Sequence, residues 1–257
     1  MIDAHNHLHD ARLAPWRADF LRGLPALGVR CSVVNGTREE DWPDVAALAR
    51  EAPWVHPSFG LHPWYVRERS PEWLSKLRAQ LDAHPGSGVG EIGLDRWVEH
   101  YDWPAQQECF AAQLNLATEL DRPVTIHCLQ AWGALLETLR ARGPAARGFL
   151  LHAYGGPAEM VAELAKLGAY FSFSTYFLHE RKGKQREVFT VIPAERLLVE
   201  TDAPDMAPPP GSHELPGSLN HPANIERAYE ALAQLRGITI NELSARMAEN
   251  FATWFGS

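Results

Sequence analysis

Eight short runs of β-branched and apolar residues recur along the chain, and longer stretches of helical periodicity separate them. Strands that alternate with helices build a parallel sheet, because each crossover returns the chain to the same end of the sheet. Eight such units in 257 residues match a (β/α)₈ TIM barrel, which typically takes about 250 residues. The predicted strands are Met1–His5, Val29–Val34, Trp54–Phe59, Val89–Ile92, Val124–His127, Phe149–Leu151, Ala169–Phe173 and Leu197–Glu200.

Helical patterns fill the intervals between the predicted strands. Gln107–Leu120 and Pro157–Leu167 carry apolar residues at helical spacing, a similar pattern starts at Ile225, and Thr239–Phe255 forms a last helix. A doubly wound open sheet is the alternative architecture, but it commonly carries GxGxxG after its first strand, and this sequence does not. We therefore predict one α/β domain, residues 1–257, built as a TIM barrel with an extra C-terminal helix.

Charge and composition limit the partners and surroundings of the chain. Its net charge is −8, whereas proteins that wrap nucleic-acid duplexes are normally basic. No apolar run approaches the roughly 20 residues of a membrane span, and the N-terminus MIDAHNHLHD lacks the pattern of a secretory signal. Three scattered cysteines do not make a disulfide framework. We expect a monomeric cytoplasmic protein that stays out of membranes.

Histidines and carboxylates collect where the predicted strands end. In a TIM barrel these carboxyl ends share one face, and catalytic groups assemble there. Side chains from six different strands would therefore converge on one opening of the barrel. The residues at these positions are His5, His7, His62, Glu91, His127, His152 and Asp202.

The spacing of the first two histidines indicates a metal site. Residues i and i+2 of an extended strand point to the same side, so His5 and His7 can reach one ion. Imidazole and carboxylate ligands suit Zn, Mn, Fe or Co, and Mg is possible at a carboxylate-rich position. Glu91 could bridge two ions, with Asp202 completing the first site. Two metals about 3.5–4 Å apart stabilise the attacking and leaving oxygens of a displacement.

Buried acids strengthen this interpretation, because an isolated HxH pattern is weak evidence. Glu91 lies within the apolar stretch VGEIGL, and Asp202 follows the apolar run RLLV closely. A carboxylate is almost never fully buried without a partner, and metal ligation would supply one. The alternative is structural; His127, next to Cys128, could be an ordinary core histidine.

Two further segments bear on the substrate. Ser174–Arg186 holds a net charge of +3 in an acidic chain and includes Arg181 and Lys182, which could contact phosphates or form a solvated surface. Exposed aromatic residues in neighbouring loops, Trp64 and Trp97 among them, could stack on nucleobases or shield the site. The proline-rich stretch 202–221 is long enough to predict a functional loop.

Taken together, these motifs resemble those of the TatD family of metal-dependent deoxyribonucleases, within the amidohydrolase superfamily. The resemblance spans almost the whole chain. The matching segments are DAHNHL (3–8), FGLHPW (59–64), GEIGLD (90–95), RPVTIHC (122–128), LHAYGG (151–156), IPAERLLVETDAPDMAP (192–208), LNHPANI (219–225) and ENFATWF (249–255).

The resemblance implies a role for each candidate residue. One divalent ion would be held by His5, His7, Glu91 and Asp202, and a second by Glu91, His127 and His152. Asp202 would also orient or deprotonate the attacking water, and His62 would contact the scissile phosphate. Some positions depart from the family pattern: Arg96 replaces a common aromatic residue, Leu129 a usual arginine, and Ala153–Gly156 the pattern Cys-Phe-Ser-Gly.

These observations predict a two-metal phosphodiesterase, with Zn, Mg or Mn as cofactor, that cleaves single-stranded DNA or DNA ends, with RNA as a further possible substrate. In this hypothesis Asp202, Glu91 and His62 serve catalysis, while Arg96, Arg181 and Lys182 join His62 in binding substrate. Two alternatives remain open. The same scaffold could hydrolyse an amide, ester, lactone or small phosphoester, or the chain could bind nucleic acid without catalysis.

Overall fold

The computed structural model describes residues 1–143, 145–211 and 213–256. Eight parallel strands form one sheet in the order in which they occur along the chain, and this confirms the predicted TIM barrel. The strands are β1 (Ile2–Asn6), β2 (Cys31–Asn35), β3 (Val55–Phe59), β4 (Gly88–Asp95), β5 (Val124–Leu129), β6 (Phe149–Leu151), β7 (Ala169–Ser174) and β8 (Leu197–Glu200).

The barrel closes between its first and last strands. The backbone N–H of Asp202 donates to the carbonyl of His5 at 3.0 Å, and that of His7 donates to Ala203 at 2.7 Å. Both hydrogen bonds lie at the carboxyl end of the barrel. They tie the segment after β8 to the end of β1, so candidate ligands from opposite ends of the sequence become neighbours.

Helices surround the sheet and follow the predicted pattern. No helix in the described ranges is long and apolar enough to span a membrane. The helices are α1 (Arg17–Ala26), α2 (Trp42–Glu51), α3 (Trp73–Ala83), α4 (Trp103–Glu119), α5 (Trp132–Arg142), α6 (Ala158–Lys166), α7 (Gly183–Val188), α8 (Ile225–Arg236) and α9 (Ile240–Trp254).

The extra C-terminal helix α9 covers the amino end of the barrel. Thr239 caps it, since its side chain accepts from the N–H of Glu242 while the Glu242 side chain accepts in return. Its buried Phe251 and Trp254 pack with Ile2 and Leu198 from inside the barrel. This apolar cluster fills the amino end, so the opposite, carboxyl end remains for a functional site.

The segment 174–186 is more regular than a predicted loop. After β7 the chain forms short 3₁₀ turns at Thr175–Leu178 and Glu180–Lys182 and then enters α7. The Ser174 side chain accepts from the N–H of Tyr176 and so starts the first turn. The proline-rich stretch 202–221 contains no strand or α-helix in its described residues; residue 212 lies outside them.

Candidate metal centre

All six predicted metal ligands meet at the carboxyl end of the barrel. None of them is more than 8% exposed, although they come from five strands or from the residues that directly follow them. Parallel strands place their carboxyl ends side by side, and this brings distant parts of the sequence to one point. The residues are His5, His7, Glu91, His127, His152 and Asp202.

The carboxylate of Glu91 lies at the middle of this centre. One oxygen, Oε2, lies 3.5 Å from Nε2 of His5 and 3.2 Å from Nε2 of His7. The other, Oε1, lies 3.1 Å from Nδ1 of His127 and 2.9 Å from Nε2 of His152. The two oxygens thus face two different pairs of imidazoles, which is the arrangement of a carboxylate able to bridge two cations.

Asp202 completes the group around the first pair of histidines. Its Oδ1 lies 3.1 Å from Nε2 of His5 and 3.5 Å from Nε2 of His7. The Nε2 atom of His5 is buried and makes no hydrogen bond with any described residue. A buried nitrogen without a partner is costly, and a divalent cation between these atoms would satisfy it. The donor set therefore fits a metal.

The ligand atoms also lie close enough to share ions. Among the described residues, three sets of three have ligand atoms within 4.8 Å of one another. The sets are His5, His7 and Asp202; His5, Glu91 and His152; and His62, Glu91 and His127. Nitrogen and carboxylate oxygen donors of this kind suit Zn, Mn, Fe or Co.

A buried acid orients one histidine from outside the centre, and a second acid lies near another. His127 turns Nε2 towards Oδ2 of Asp95 in a hydrogen bond of 2.8 Å. Nδ1 of His152 faces Oε1 of Glu200 at 3.5 Å, where neither atom makes a hydrogen bond with a described residue. An acceptor at the outer nitrogen keeps the proton there and leaves the inner lone pair free for a cation. The sequence pattern indicated no role for Asp95 or Glu200.

Asn35, at the end of β2, contacts the other two histidines. Its backbone carbonyl accepts from Nδ1 of His7 at 2.7 Å, and its side-chain Nδ2 lies 2.9 Å from Nδ1 of His5. For His5 to ligate through Nε2, its proton must sit on Nδ1, so the amide must turn its oxygen to that atom. The turn would give Asn35 Oδ1 a partner, which it lacks among the described residues.

His62 differs from the six predicted metal ligands because the ring nitrogen that faces Glu91 carries a proton. Its Nδ1 accepts from the backbone N–H of Trp64 at 3.2 Å, so a neutral ring carries its proton on Nε2. That nitrogen faces Oε1 of Glu91 at 3.3 Å. Burial lowers the pKa of His62 to about 4, which keeps the ring neutral near pH 7. His62 is therefore a hydrogen-bond donor at the edge of the centre.

Protonation in the centre is strongly perturbed. Burial opposes the charge of Glu91, yet the imidazoles around it, foremost those of His152 and His62, hold its pKa well below the usual value. Burial likewise disfavours the cation of His7, but hydrogen bonds to Asp202 and Glu91 raise its pKa well above the ordinary range. Protons and metal ions thus compete for the same atoms.

A cavity of about 990 Å³ opens above the centre. Its two sides differ in chemistry. The side formed by the segments after β1, β2 and β8, here called the acidic wall, carries Asp10, Glu40, Asp41, Asp44 and Asp205. The other side, formed by segments after β3, β4, β5 and β7 and here called the aromatic wall, carries Trp64, Tyr65, Trp97, Trp132, Tyr176 and Phe177.

Of the three basic residues predicted to bind substrate, one lines this cavity and two do not. Lys182 is one of its lining residues, and its Nζ lies 5.1 Å from the centre of the Tyr176 ring. Arg181 donates to the Tyr176 hydroxyl at 2.8 Å, and Arg96 lies over the ring of Trp103 at 3.7 Å. Neither arginine is among the residues that line the cavity.

A TIM barrel with histidines and carboxylates gathered at the carboxyl ends of its strands defines the class of metal-dependent hydrolases. The profile of the family described as TatD related DNase matches residues 2–256. The chain belongs to the TatD family, and this confirms the resemblance found in the sequence.

Individual relatives agree with this assignment. The chain is 32% identical over 260 residues to the 3'-5' ssDNA/RNA exonuclease TatD of Erwinia amylovora, with both chains covered completely. It is 28% identical over 251 residues to the metal-dependent hydrolase YabD of Bacillus subtilis, with 97% of this chain and 96% of that one covered. The crystal structure of the TatD homologue YJJV of Escherichia coli matches with a TM-score of 0.92 and 28% identity, over 100% of this chain and 98% of that one.

Proposed function

We propose that this hydrolase cleaves phosphodiester bonds of single-stranded DNA, and of RNA, at strand ends. The carrying observation is the carboxylate of Glu91, whose two oxygens face two separate pairs of imidazoles. The exonuclease relative from Erwinia amylovora supports the choice of substrate and, by its name, attack from the 3' end.

The proposed cofactor is a pair of divalent cations, Zn, Mg or Mn. His5, His7, Glu91 and Asp202 would hold one of them, and Glu91, His127 and His152 the other. Bound at such a centre, two divalent ions neutralise phosphate charge and make water a stronger nucleophile near neutral pH.

Asp202 is the proposed proton acceptor. It lies at the edge of the cavity with an ionised carboxylate, because the neighbouring imidazoles of His5 and His7 overcome the effect of burial and hold its pKa below the usual range. A carboxylate in this position can orient the attacking water and take its proton.

His62 is the proposed donor to the substrate. Its neutral ring presents Nε2–H beside Glu91, and a donor fixed in this way can stabilise charge that develops on a phosphate oxygen. Lys182 in the cavity would contact the phosphate of a following nucleotide. Arg96 and Arg181, outside the cavity lining, would reach only a longer strand.

We also propose that the protein works as a cytoplasmic monomer of one domain, residues 1–257. All six proposed ligands come from one chain, so the site needs no second subunit. The three cysteines are free, as expected in a reducing compartment.

Asp202→Asn tests this proposal directly. The metal-loaded wild type should shorten an end-labelled single-stranded DNA or RNA from one end, and the variant should lose a factor of roughly 10² to 10⁴ in kcat. Asp44→Asn is the control, since it removes the same charge from the acidic wall. Full activity of Asp202→Asn, or a wild type that leaves both nucleic acids intact, would overturn the proposal.

A further inference from the structure

Charge in the cavity decides where a nucleic-acid strand can lie. The acidic wall presents five carboxylates, and one of its arginines, Arg12, is already bound by Asp10 and Asp205. Phosphates are repelled from such a surface. The second lining arginine, Arg38, lies over the Tyr65 ring at 4.8 Å and so at the border of the aromatic wall. A strand therefore lies more favourably against the aromatic wall, where Lys182 is also a lining cation.

Trp64 occupies a special place in the aromatic wall. Its indole Nε1–H donates to Oδ2 of Asp95 at 2.7 Å, and its ring lies 5.0 Å from the ring of His62 at an interplanar angle of 85°. Despite this anchoring the residue is 45% exposed. A large apolar ring held still and left open beside the proposed phosphate donor is suited to bind a flat partner.

The same carboxylate fixes a second indole-bearing segment. Oδ1 of Asp95 accepts from the backbone N–H of Trp97 at 2.6 Å. The side chain of Trp97 is 61% exposed and also lines the cavity. Asp95 thus bonds the proposed metal ligand His127, the indole of Trp64 and the backbone of Trp97, so one carboxylate fixes the Trp64 ring relative to the reacting centre.

We propose that Trp64 is the stacking surface for the nucleobase of the terminal nucleotide, next to the scissile phosphate. This inference rests on the proposed function and adds the feature of the substrate that the site recognises. Every base offers a π-face, so stacking tolerates any sequence. A base inside a duplex is already covered on both faces, so Trp64 selects unpaired ends.

The test combines a change in the enzyme with a change in the substrate. One single-stranded oligonucleotide ends in a normal 3' nucleotide, and a second carries an abasic residue at that position. Wild type and Trp64→Ala are compared on both. Trp64→Phe should restore part of the loss, and Val191→Ala, which removes an exposed apolar side chain outside the cavity lining, should leave both rates unchanged.

Stacking predicts a specific pattern of kcat/KM. Trp64→Ala should cost roughly tenfold or more on the normal strand and little on the abasic strand, which wild type should already cleave that much more slowly. An equal loss on both strands would overturn the proposal, because Trp64 would then only support His127 through Asp95.

A binding measurement separates this inference from the proposed function. The anisotropy of the same oligonucleotides, labelled at the 5' end and made with a non-hydrolysable linkage before the terminal residue, is followed with metal-loaded protein. Wild type should bind the normal strand more tightly than the abasic strand, and Trp64→Ala should bind both alike. If no strand is cleaved but this difference appears, the proposed function fails and stacking stands. Equal binding by wild type would overturn the stacking proposal.

Discussion

Glu91 is the residue on which the site is organised. Nitrogens of five imidazoles lie within 3.5 Å of its two oxygens, and it is only 2% exposed. Burying an ionised carboxylate is unfavourable unless cations offset its charge. Two bound metal ions would do so with the imidazoles neutral, while removal of Glu91 would leave the histidines without a common partner.

The outer partner of a ligand should matter almost as much as the ligand. Asp95→Asn removes the charge that holds the proton of His127 on Nε2. Such changes typically lower metal affinity or activity by about 10- to 100-fold, and we expect this range for the second metal. Metal titration of the purified variant measures it. Asp44→Asn serves as the matched control; a variant with wild-type affinity would contradict the role given to Asp95.

The six candidate ligands could be found in the sequence because histidines and acids are rare in strands and recur here at strand ends. The outer partners could not. Asp95 contacts the outer nitrogen of His127, and Asn35 contacts that of His7. Which ring nitrogen faces outwards depends on the side-chain orientation, which only the folded structure determines. His9 is a further example: it lies buried in the acidic wall, 3.5 Å from Asp41, and no spacing rule pointed to this contact.

At the scale of elements, the strands were predicted in the correct number and order, and their ends were less accurate. β4 was expected to end at Ile92 but continues to Asp95. Gly93 interrupts the run of apolar and β-branched residues, and for this reason the sequence pattern predicted a strand that was too short. The structure gives the reason for the glycine, since a Cβ at position 93 would lie 1.9 Å from the carbonyl oxygen of His127.

Gly93→Ala should therefore destabilise the barrel. Gly93 has φ of +153°, which disfavours other residues, and the added methyl group would push β5 away from β4. We expect a loss of at least about 2 kcal/mol in the free energy of unfolding, measured by urea denaturation. Gly86→Ala is the control, because its Cβ would meet no atom within 4 Å. Equal stability of the two variants would refute this explanation.

At the scale of the whole molecule, the two ends of the barrel have separate tasks. The amino end is filled by the apolar cluster of α9, and the carboxyl end holds the ionisable groups. The residues that stabilise the fold are thereby separated from those proposed for catalysis. Ionisable groups are buried together at the carboxyl end, so the stability of the molecule should depend on the protons or cations that neutralise them.

The stabilisation conferred by metal should increase with pH. In the metal-free protein the raised pKa values of His7 and His152 contribute stability that is complete below the unfolded value of about 6.5 and lost as pH rises through the folded values. Glu91 and Asp202, whose pKa values are lowered, stay ionised throughout this range. Neutral imidazoles bind cations, so affinity rises as protons leave.

Calorimetry with and without Zn or Mn checks this dependence. The rise in Tm on adding metal should be larger at about pH 8 than at about pH 6, since each tenfold gain in affinity adds about 1.4 kcal/mol of stability. Glu91→Gln should show a small rise at both values. A rise in Tm that shrinks with increasing pH would contradict the proposed competition between protons and metal.

Counting the metal ions tests the central claim most directly. The protein is saturated with Mn or Zn, freed of excess metal and analysed by inductively coupled plasma mass spectrometry. It should contain two ions per chain. Glu91→Gln should lose both, whereas Asp44→Asn should keep them. A single ion in the wild type, or two ions retained by Glu91→Gln, would contradict a pair of cations joined by the Glu91 carboxylate.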